Sequence, residues 1–476
     1  MKGFHSSVSR RDFMKGLGLA GAGIGALAAP AFADLDELTA SGSTKNPTHS
    51  WWVGERPLED PTIEIDWDLW KAYDAKKHPM APDTETRMAN LKLNDARNLQ
   101  NLNNAVPGYS LKEIALTQGL TKGLYGDSFS ANAYGATWPW DGATGIVKPS
   151  DRGNIGVWQD TPENNLQTMR AAMHIAGCDQ VGAIELTDRV KQRIFDAGTT
   201  VFEDIPAPLF KDGIYHVPSK CRWILTFAAL QNRDYTMLSL QEDSSQPGGY
   251  GWSKPINPHS QGYATSAPFY YMASKMIKNL GYMTLRPPIL ANVAMGVLSG
   301  IGELGRHSKV VNPSHGTMIR MTFYWITDLP LTPTPPIDFG LSKFCKNCAT
   351  CAKGCPSTAI PTTVEPSWDT VCTTNNPGIK QWYIDWQKCR DWGSPGPCAN
   401  CQAMCPYNSP GEALIHTVVA ATAGHVGALD KFYATLEEQF AYARPRSDQA
   451  MVDWWNRDLK IYKGDAILNA GKYNWR

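Results

Sequence analysis

Cys345-Lys346-Asn347-Cys348-Ala349-Thr350-Cys351-Ala352-Lys353-Gly354-Cys355-Pro356 is the stretch that decides how the rest of this chain is read. Three cysteines at C-x2-C-x2-C are closed by a fourth in C-x3-C-P. That is the spacing with which thiolates hold a [4Fe-4S] cluster while the fourth reaches across to a second cluster. A partner run is therefore required, and Cys398-Ala399-Asn400-Cys401-Gln402-Ala403-Met404-Cys405-Pro406 supplies three more ligands and the same Cys-Pro end. The eighth ligand must lie upstream of Cys398. Cys389, nine positions before it, and Cys372, further back, are the two candidates, and Cys389 is expected to serve. Crosswise ligation then assigns Cys345, Cys348, Cys351 and Cys405 to one cluster, and Cys389, Cys398, Cys401 and Cys355 to the other. Paired zinc knuckles would also use close cysteines, but zinc sites rarely end twice in C-x3-C-P within one segment. Cys178, Cys221 and Cys372, the remaining three of eleven, read as ordinary buried thiols.

Residues 9 to 15 read Ser9-Arg10-Arg11-Asp12-Phe13-Met14-Lys15, followed by an apolar stretch from Gly16 to Pro30 and by Ala31-Phe32-Ala33. A basic front, a short apolar middle and an A-x-A end make a twin-arginine export signal, with the mature chain expected to start at Asp34. The middle is short of the roughly 20 apolar residues a permanent span needs. That export route carries folded proteins, which suits clusters inserted beforehand and argues against reading the cysteines as disulfides.

Lys+Arg and Asp+Glu balance at 45 each; the signal holds a net +3, leaving the mature chain near −3. No basic surface for nucleic acid is implied. The stretch Ile289 to Leu304 is apolar but carries Asn292 and Glu303, and it reads as a buried helix rather than a span. A position at a membrane would therefore need another subunit as anchor.

After a 33-residue signal, 443 residues remain, enough for two or three domains. Residues 34–108 are polar and rich in tryptophan, with Trp51, Trp52, Trp67 and Trp70 among prolines, and suggest an irregular layer wrapped on a larger body. From 109 to 336 the chain reads as an α+β body. Asn165 to Ala176 and Ser266 to Leu280 have helical spacing, while Trp223 to Leu230 and Met318 to Ile326 read as buried strands. Leu329-Pro330-Leu331-Thr332-Pro333-Thr334-Pro335-Pro336 is a stiff extended connector that marks a boundary. The cluster segment occupies 337–410. The tail, 411–476, has too few aliphatic residues to fold alone and is expected to pack on the body.

The chain resembles the respiratory reductive dehalogenases, corrinoid and iron-sulfur enzymes of organohalide-respiring bacteria. The resemblance is carried by the export signal, by Leu329-Pro330-Leu331 with Pro336-Ile337-Asp338-Phe339-Gly340 before the first cysteine run, and by the second run with its remote cysteine. Gly300-Ile301-Gly302-Glu303-Leu304-Gly305-Arg306 and Leu280-Gly281-Tyr282 belong to it as well. It implies a nitroreductase-like domain holding a base-off cobamide, followed by a bacterial ferredoxin-like domain with two [4Fe-4S] clusters. The D-x-H-x-x-G string of proteins that ligate cobalt through histidine is absent. Its nearest match, around His174, has Ala172 where the orienting aspartate would stand. His174 therefore reads as an ordinary helix-face residue.

In that family a tyrosine donates the proton, an arginine assists it, and an asparagine or lysine completes the pocket. By the resemblance these roles fall on Tyr263, Arg320 and Asn292. A phenol with an ordinary pKa of about 10 becomes a usable acid when a guanidinium lowers it, and the guanidinium itself stays charged. The implied reaction runs from the clusters to Co(I), which removes halide from a small chlorinated alkene, alkane or arene while Tyr263 protonates the carbon. The implied setting is the outer face of the cytoplasmic membrane, with a small integral-membrane anchor protein and electron-donating respiratory subunits. Two other readings explain fewer of the features. One is an exported ferredoxin-like electron carrier without corrinoid, which leaves the body unemployed. The other is an epoxyqueuosine reductase-like enzyme, against which the export signal and the lack of a basic surface count.

Overall fold

Trp223–Leu230 (WILTFAAL) and Ile319–Thr327 (IRMTFYWIT) are rich in β-branched and aromatic residues, and they form the two long strands around which the body is built. The computed structural model describes residues 49–50, 52–78, 83–117, 140–153, 155–245, 251–252, 254–289, 291–392, 398–408, 430 and 444–458. The export signal lies outside them, as does most of the tail. The chain divides into Met1–Trp52 and Val53–Arg476, and everything below concerns the second unit.

In chain order the elements used here are β1 (Gly54–Glu55), α1 (Glu85–Asn103), α2 (Pro162–Ile175), β2 (Gln180–Glu185), α3 (Asp188–Ile194) and the strands β3 (Thr200–Glu203), β4 (Leu209–Lys211) and β5 (Ile214–Pro218). Next come β6 (Trp223–Leu230), α4 (Arg233–Met237), α5 (Pro258–Asn279), α6 (Asn292–Leu298), β7 (Glu303–Leu304), β8 (Val310–Val311), β9 (Ile319–Thr327) and β10 (Ile337–Asp338). The cluster segment adds α7 (Leu341–Cys348), α8 (Thr350–Lys353), α9 (Trp386–Asp391) and α10 (Asn400–Ala403).

The central sheet has the order β2-β6-β9, antiparallel throughout. Alternate residues feed two cores. Leu225, Phe227 and Ala229 of β6, with Val181, Ala183 and Trp325, pack on α2 and on Phe269, Ala273 and Ile277 of α5. Ile224 with Ile184, Tyr324 and Ile326 packs on α3 and α6, and Ala228 and Leu230 with Ile319 pack on Val297 of α6. With helices on both faces, β6 reads as an unbroken apolar run rather than an alternating one. Outside this sheet, β3, β5 and β4 make a small one, and β1 pairs with β10.

The strand β9 carries an irregularity with a large consequence. Leu225 pairs with Trp325, but Ala229 pairs with Arg320, so β9 spends one more residue than β6 between these two points. A bulge of this kind reverses the alternation beyond it. Arg320 consequently faces the α5 side together with its partner Ala229, although Tyr324 and Ile326 on the same strand face α6.

The segment 34–108, expected to be irregular, contains the 19-residue helix α1. Its sequence is polar almost all round and only Asn94 is buried, so no apolar stripe announces it. Thr84 caps it by accepting from Arg87 N, and its side chains grip α9 through Arg87 Nη1 to Arg390 O (2.9 Å) and Asn90 Nδ2 to Asp391 O (2.7 Å). The stretch Ile289 to Leu304 is helical only over Asn292–Leu298; it then turns at Gly300, whose φ of +71° places its α-carbon against the Pro335 carbonyl. The proline-rich connector is extended but not free-standing. Leu329 and Leu331 are fully buried, and Thr334 exchanges hydrogen bonds with Ala183 of β2. In the tail, the helix Asp448–Trp455 seats Met451 among Tyr235, Leu238 and Ile256. Among the described residues, no helix is long and apolar enough to cross a membrane.

Candidate functional site

Two sites adjoin each other, one of thiols and one of polar side chains around Arg320. Cys345 and Cys348 sit on α7, Cys351 on α8, Cys389 on α9 and Cys401 on α10, with Cys355, Cys398 and Cys405 in the turns beside them. Charge on Cys351 is felt from Cys345, Cys348, Cys405 and Cys401. Charge on Cys398 is felt from Cys401, Cys389 and Cys355. The eight thiols thus lie together, with Cys389 near Cys401, Cys398 and Cys355, and with Cys401 within reach of Cys351 as well. Cys372 lies elsewhere, its sulfur 3.8 Å from Ile384 O and near Tyr73, while Cys178 and Cys221 are buried in the body.

A pocket is lined by Cys345, Cys348, Cys351 and Cys405 together with His307 and Tyr407. Burial pushes the Cys345 thiol up to about 12 and Cys389 to about 11, and raises Cys351, Cys398 and Cys401 as well. Sulfurs so disposed become thiolates only when a metal supplies the compensating charge. Among the described residues no three donors converge as a single ion needs. Among the described residues, two buried polar atoms of this pocket have no hydrogen-bond partner, His307 Nδ1 and Tyr407 Oη. An apolar chamber ringed by four spaced thiols and two idle polar atoms fits a four-iron cluster, whose sulfides accept hydrogen bonds.

The second site is built where α5, β9 and the cluster segment meet. Tyr263 is half-buried on α5, and the Arg320 guanidinium stands over its ring at 5.3 Å from the centroid. Arg320 Nη2 donates to Gln402 Oε1 at 3.1 Å, and Gln402 Nε2 donates to Thr317 O at 2.9 Å. Thr317 is in turn tied to Asn408, and Gly316 beside it is obligatory: at φ +58° an added Cβ would stand 2.4 Å from Tyr407 O. Gly262, next to Tyr263, has the same role toward Arg320, whose Cγ would lie 2.6 Å from a Cβ there. His259, one turn before Tyr263, is held neutral by burial and by the Arg320 and Lys309 cations, which push its pKa well below the usual value.

Asn292, expected as the third pocket residue, is instead the first residue of α6, whose neighbours lie on the other sheet face. The two faces of the sheet formed by β6 and β9 separate it from Tyr263 and Arg320. His259 and Gln402 take the places beside them. His259 lies at i−4 from Tyr263, a spacing that shares a helix face and was open to sequence reading. Gln402 sits between cluster ligands, and nothing in its local sequence marks it. His174 is exposed on α2, as its sequence context suggested.

No family model matches the chain. It is 30% identical to the trichloroethene reductive dehalogenase of Dehalococcoides mccartyi strain ATCC BAA-2266, over 96% of this chain and 98% of that one. It is 29% identical to the chloroethene reductive dehalogenase of strain VS of the same species, over 98% and 99%. The chain belongs to the reductive dehalogenases. A solved reductive dehalogenase structure, described as suggesting a mechanism for B12-dependent dehalogenation, shares the mixed helix and sheet fold with a TM-score of 0.57. It is 18% identical over 84% of this chain and 50% of its own. The catabolic NpRdhA in complex with 3-bromo-4-hydroxybenzoic acid gives a TM-score of 0.54 at 18% identity, over 82% and 49%. The chain thus spans about half the length of these solved relatives, and the likeness concerns the fold.

Proposed function

We propose that this reductive dehalogenase removes halide from a small organohalide, with Tyr263 as proton donor and Arg320 as its electrostatic partner. The observation that carries the reading is the Arg320 guanidinium, which stands over the Tyr263 ring and donates a hydrogen bond to Gln402, the residue after Cys401. Proton source and electron source are thereby joined through one side chain. Cys345, Cys348, Cys351 and Cys405 would hold one [4Fe-4S] cluster, and Cys355, Cys389, Cys398 and Cys401 the other, in a nitroreductase-like and ferredoxin-like arrangement.

Among the described residues, Gln231 Oε1, His259 Nε2 and both polar atoms of the Asn400 amide are buried without a hydrogen-bond partner, although the His259 ring also stands against the Gln402 side chain. Gln231 borders Gly262 and Arg320, and Asn400 stands on α10, which packs on α4. Such donors and acceptors suit the amide-rich rim of a cobamide, so Gln231, His259 and Asn400 are the residues expected to hold it. When bound, that cofactor supplies the reduced cobalt centre that breaks the carbon-halogen bond. The protein's own share is positional. Arg320 draws the departing anion and stabilises phenolate character on Tyr263 as its proton leaves, and neutral His259 adds no competing charge. The buried aromatic surroundings of α5, Phe269 and Tyr270, keep water out.

The mature enzyme is expected on the outer face of the cytoplasmic membrane after twin-arginine export, held by a small integral-membrane anchor and fed by membrane respiratory subunits. The test is anaerobic reconstitution with cobamide, iron and sulfide, followed by a panel of chlorinated ethenes, ethanes and benzenes with chloride release as readout. Chloride release that depends on the cobamide supports the reading. Protein loaded with iron that takes up no cobalt and releases no chloride refutes it.

A further inference from the structure

The hairpin of β7 and β8 carries two cations at its tip, Arg306 and Lys309, neither of which takes a direct part in the dehalogenation chemistry above. Pairing of Glu303 with Val311 and of Leu304 with Val310 fixes the hairpin, and Gly305 N donates to Lys309 O at 2.9 Å to close the tip. Gly302 permits the fold: a Cβ there would meet Val311 O at 2.2 Å.

Arg306 is almost fully buried, at 1% exposure. Its guanidinium donates to Cys345 O through Nη2 (2.6 Å) and Nε (3.2 Å), and through Nη1 to Pro361 O (2.9 Å) and Thr363 O (2.7 Å). It also lies 4.5 Å from the centroid of the Trp382 ring. Every one of these partners is a neutral group, so no carboxylate within the described residues compensates the charge. The groups near it that turn anionic on ligating a cluster are Cys345, Cys351 and Cys348. A buried cation with carbonyl partners alone is costly unless a counter-charge is near, and thiolates of an iron-sulfur cluster are that counter-charge.

Lys309, three residues on, faces the other set. Its cation acts on Cys389 and on Cys401, and its ammonium lies 5.6 Å from the Trp386 ring centroid. It is half-buried and forms no side-chain hydrogen bond or ion pair among the described residues. The hairpin tip thus presents one cation to each set of thiols.

We propose that this tip sets the reduction potentials of the two clusters, Arg306 acting on the one held by Cys345, Cys348, Cys351 and Cys405, and Lys309 on the other. The inference rests on the ligand sets given under the proposed function. Taking up one electron adds one negative charge to a cluster, and a fixed cation beside it favours the reduced form. Both residues therefore raise the potentials, and Arg306 raises its cluster's more, because it is sealed from solvent and Lys309 is screened. Arg306 and Lys309 are positioning residues that touch no substrate.

The test is a redox titration of the holoprotein with dithionite, followed by electron paramagnetic resonance, in wild type, Arg306→Gln, Arg306→Lys and Lys309→Gln. Arg306→Gln should lower one of the two reduction steps by more than 59 mV, a tenfold change in the reduced-to-oxidised ratio. Arg306→Lys, which keeps the charge, should lower the same step by less. Lys309→Gln should lower the other step by a smaller amount. If Arg306→Gln fails to load iron, Lys309→Gln carries the test, since that side chain makes no bond whose loss would unfold the segment. Iron-replete variants with unmoved steps, or variants that move the same step, overturn the inference. Wild-type protein without about eight irons, the content of two four-iron clusters, overturns the ligand reading instead.

Discussion

In the sheet body, β6 buries seven of its eight residues between two helical layers, while among the described residues from Leu341 to Cys405 the helices have only 8, 4, 6 and 4 residues. The body folds by burying apolar surface. Helices this short do not stand alone, so the cluster segment is held by other means: side chains gripping main-chain carbonyls, and metal. Arg306 alone ties three carbonyls of that segment, from Cys345, Pro361 and Thr363. A body built this way supplies a rigid face for chemistry, and the segment delivers its ligands to that face through a few polar contacts such as Gln402 with Arg320.

The sharpest division between the two regions is expected from Tyr263→Phe. Removing one hydroxyl from the body should reduce chloride release roughly 10²–10⁴-fold, the usual range for a positioned acid, with iron and cobalt content unchanged. Retained turnover would remove Tyr263 from the reaction. Within the cluster segment, Cys389→Ser should lose about half the iron, one cluster of two, while Cys372→Ser keeps all of it. Iron analysis of the two purified variants decides between them, and the opposite result would transfer the ligand role.

A smaller effect tests the seam between the regions. Glu303 of β7 accepts from Thr62 Oγ1, Phe339 N and Leu341 N, and burial raises its pKa to about 7. An unfolded chain holds a glutamate near about 4.3. The folded state thus keeps a proton that the unfolded state has lost, so the advantage is present at low pH and is lost as pH rises from about 4.3 to about 7. Glu303→Gln should match wild type near pH 5 and exceed it by roughly 3 kcal/mol near pH 8, read from denaturant midpoints. Parallel curves would show that the carboxylate is already ionised in the fold. The smallest effect is expected from Gly262→Ala, whose new Cβ would stand 2.6 Å from Arg320 Cγ. Overpacking of this kind costs roughly 1–3 kcal/mol. The displaced Arg320 should lower turnover with substrate affinity unchanged, and a KM change at constant kcat would contradict that.

Local composition and spacing already determined much of this protein. The strand Trp223–Leu230 matches the apolar run read from the chain, β9 lies within one residue of its expected limits, and α2 and α5 cover all but the last residue of the stretches with helical spacing. Burial patterns of that strength are written residue by residue, and so are cysteine spacings, because metal ligation demands them. Polar α1 was not legible, since a helix held by its cap and by contacts with α9 leaves no apolar period. The composition of the site around Tyr263 was decided only by the tertiary structure. One extra residue in β9 turns Arg320 toward α5, the sheet leaves Asn292 on the far side, and Gln402 arrives from a segment 82 positions beyond Arg320. Which face a side chain takes after a bulge depends on the partner strand, and that information is not local to any stretch of the chain.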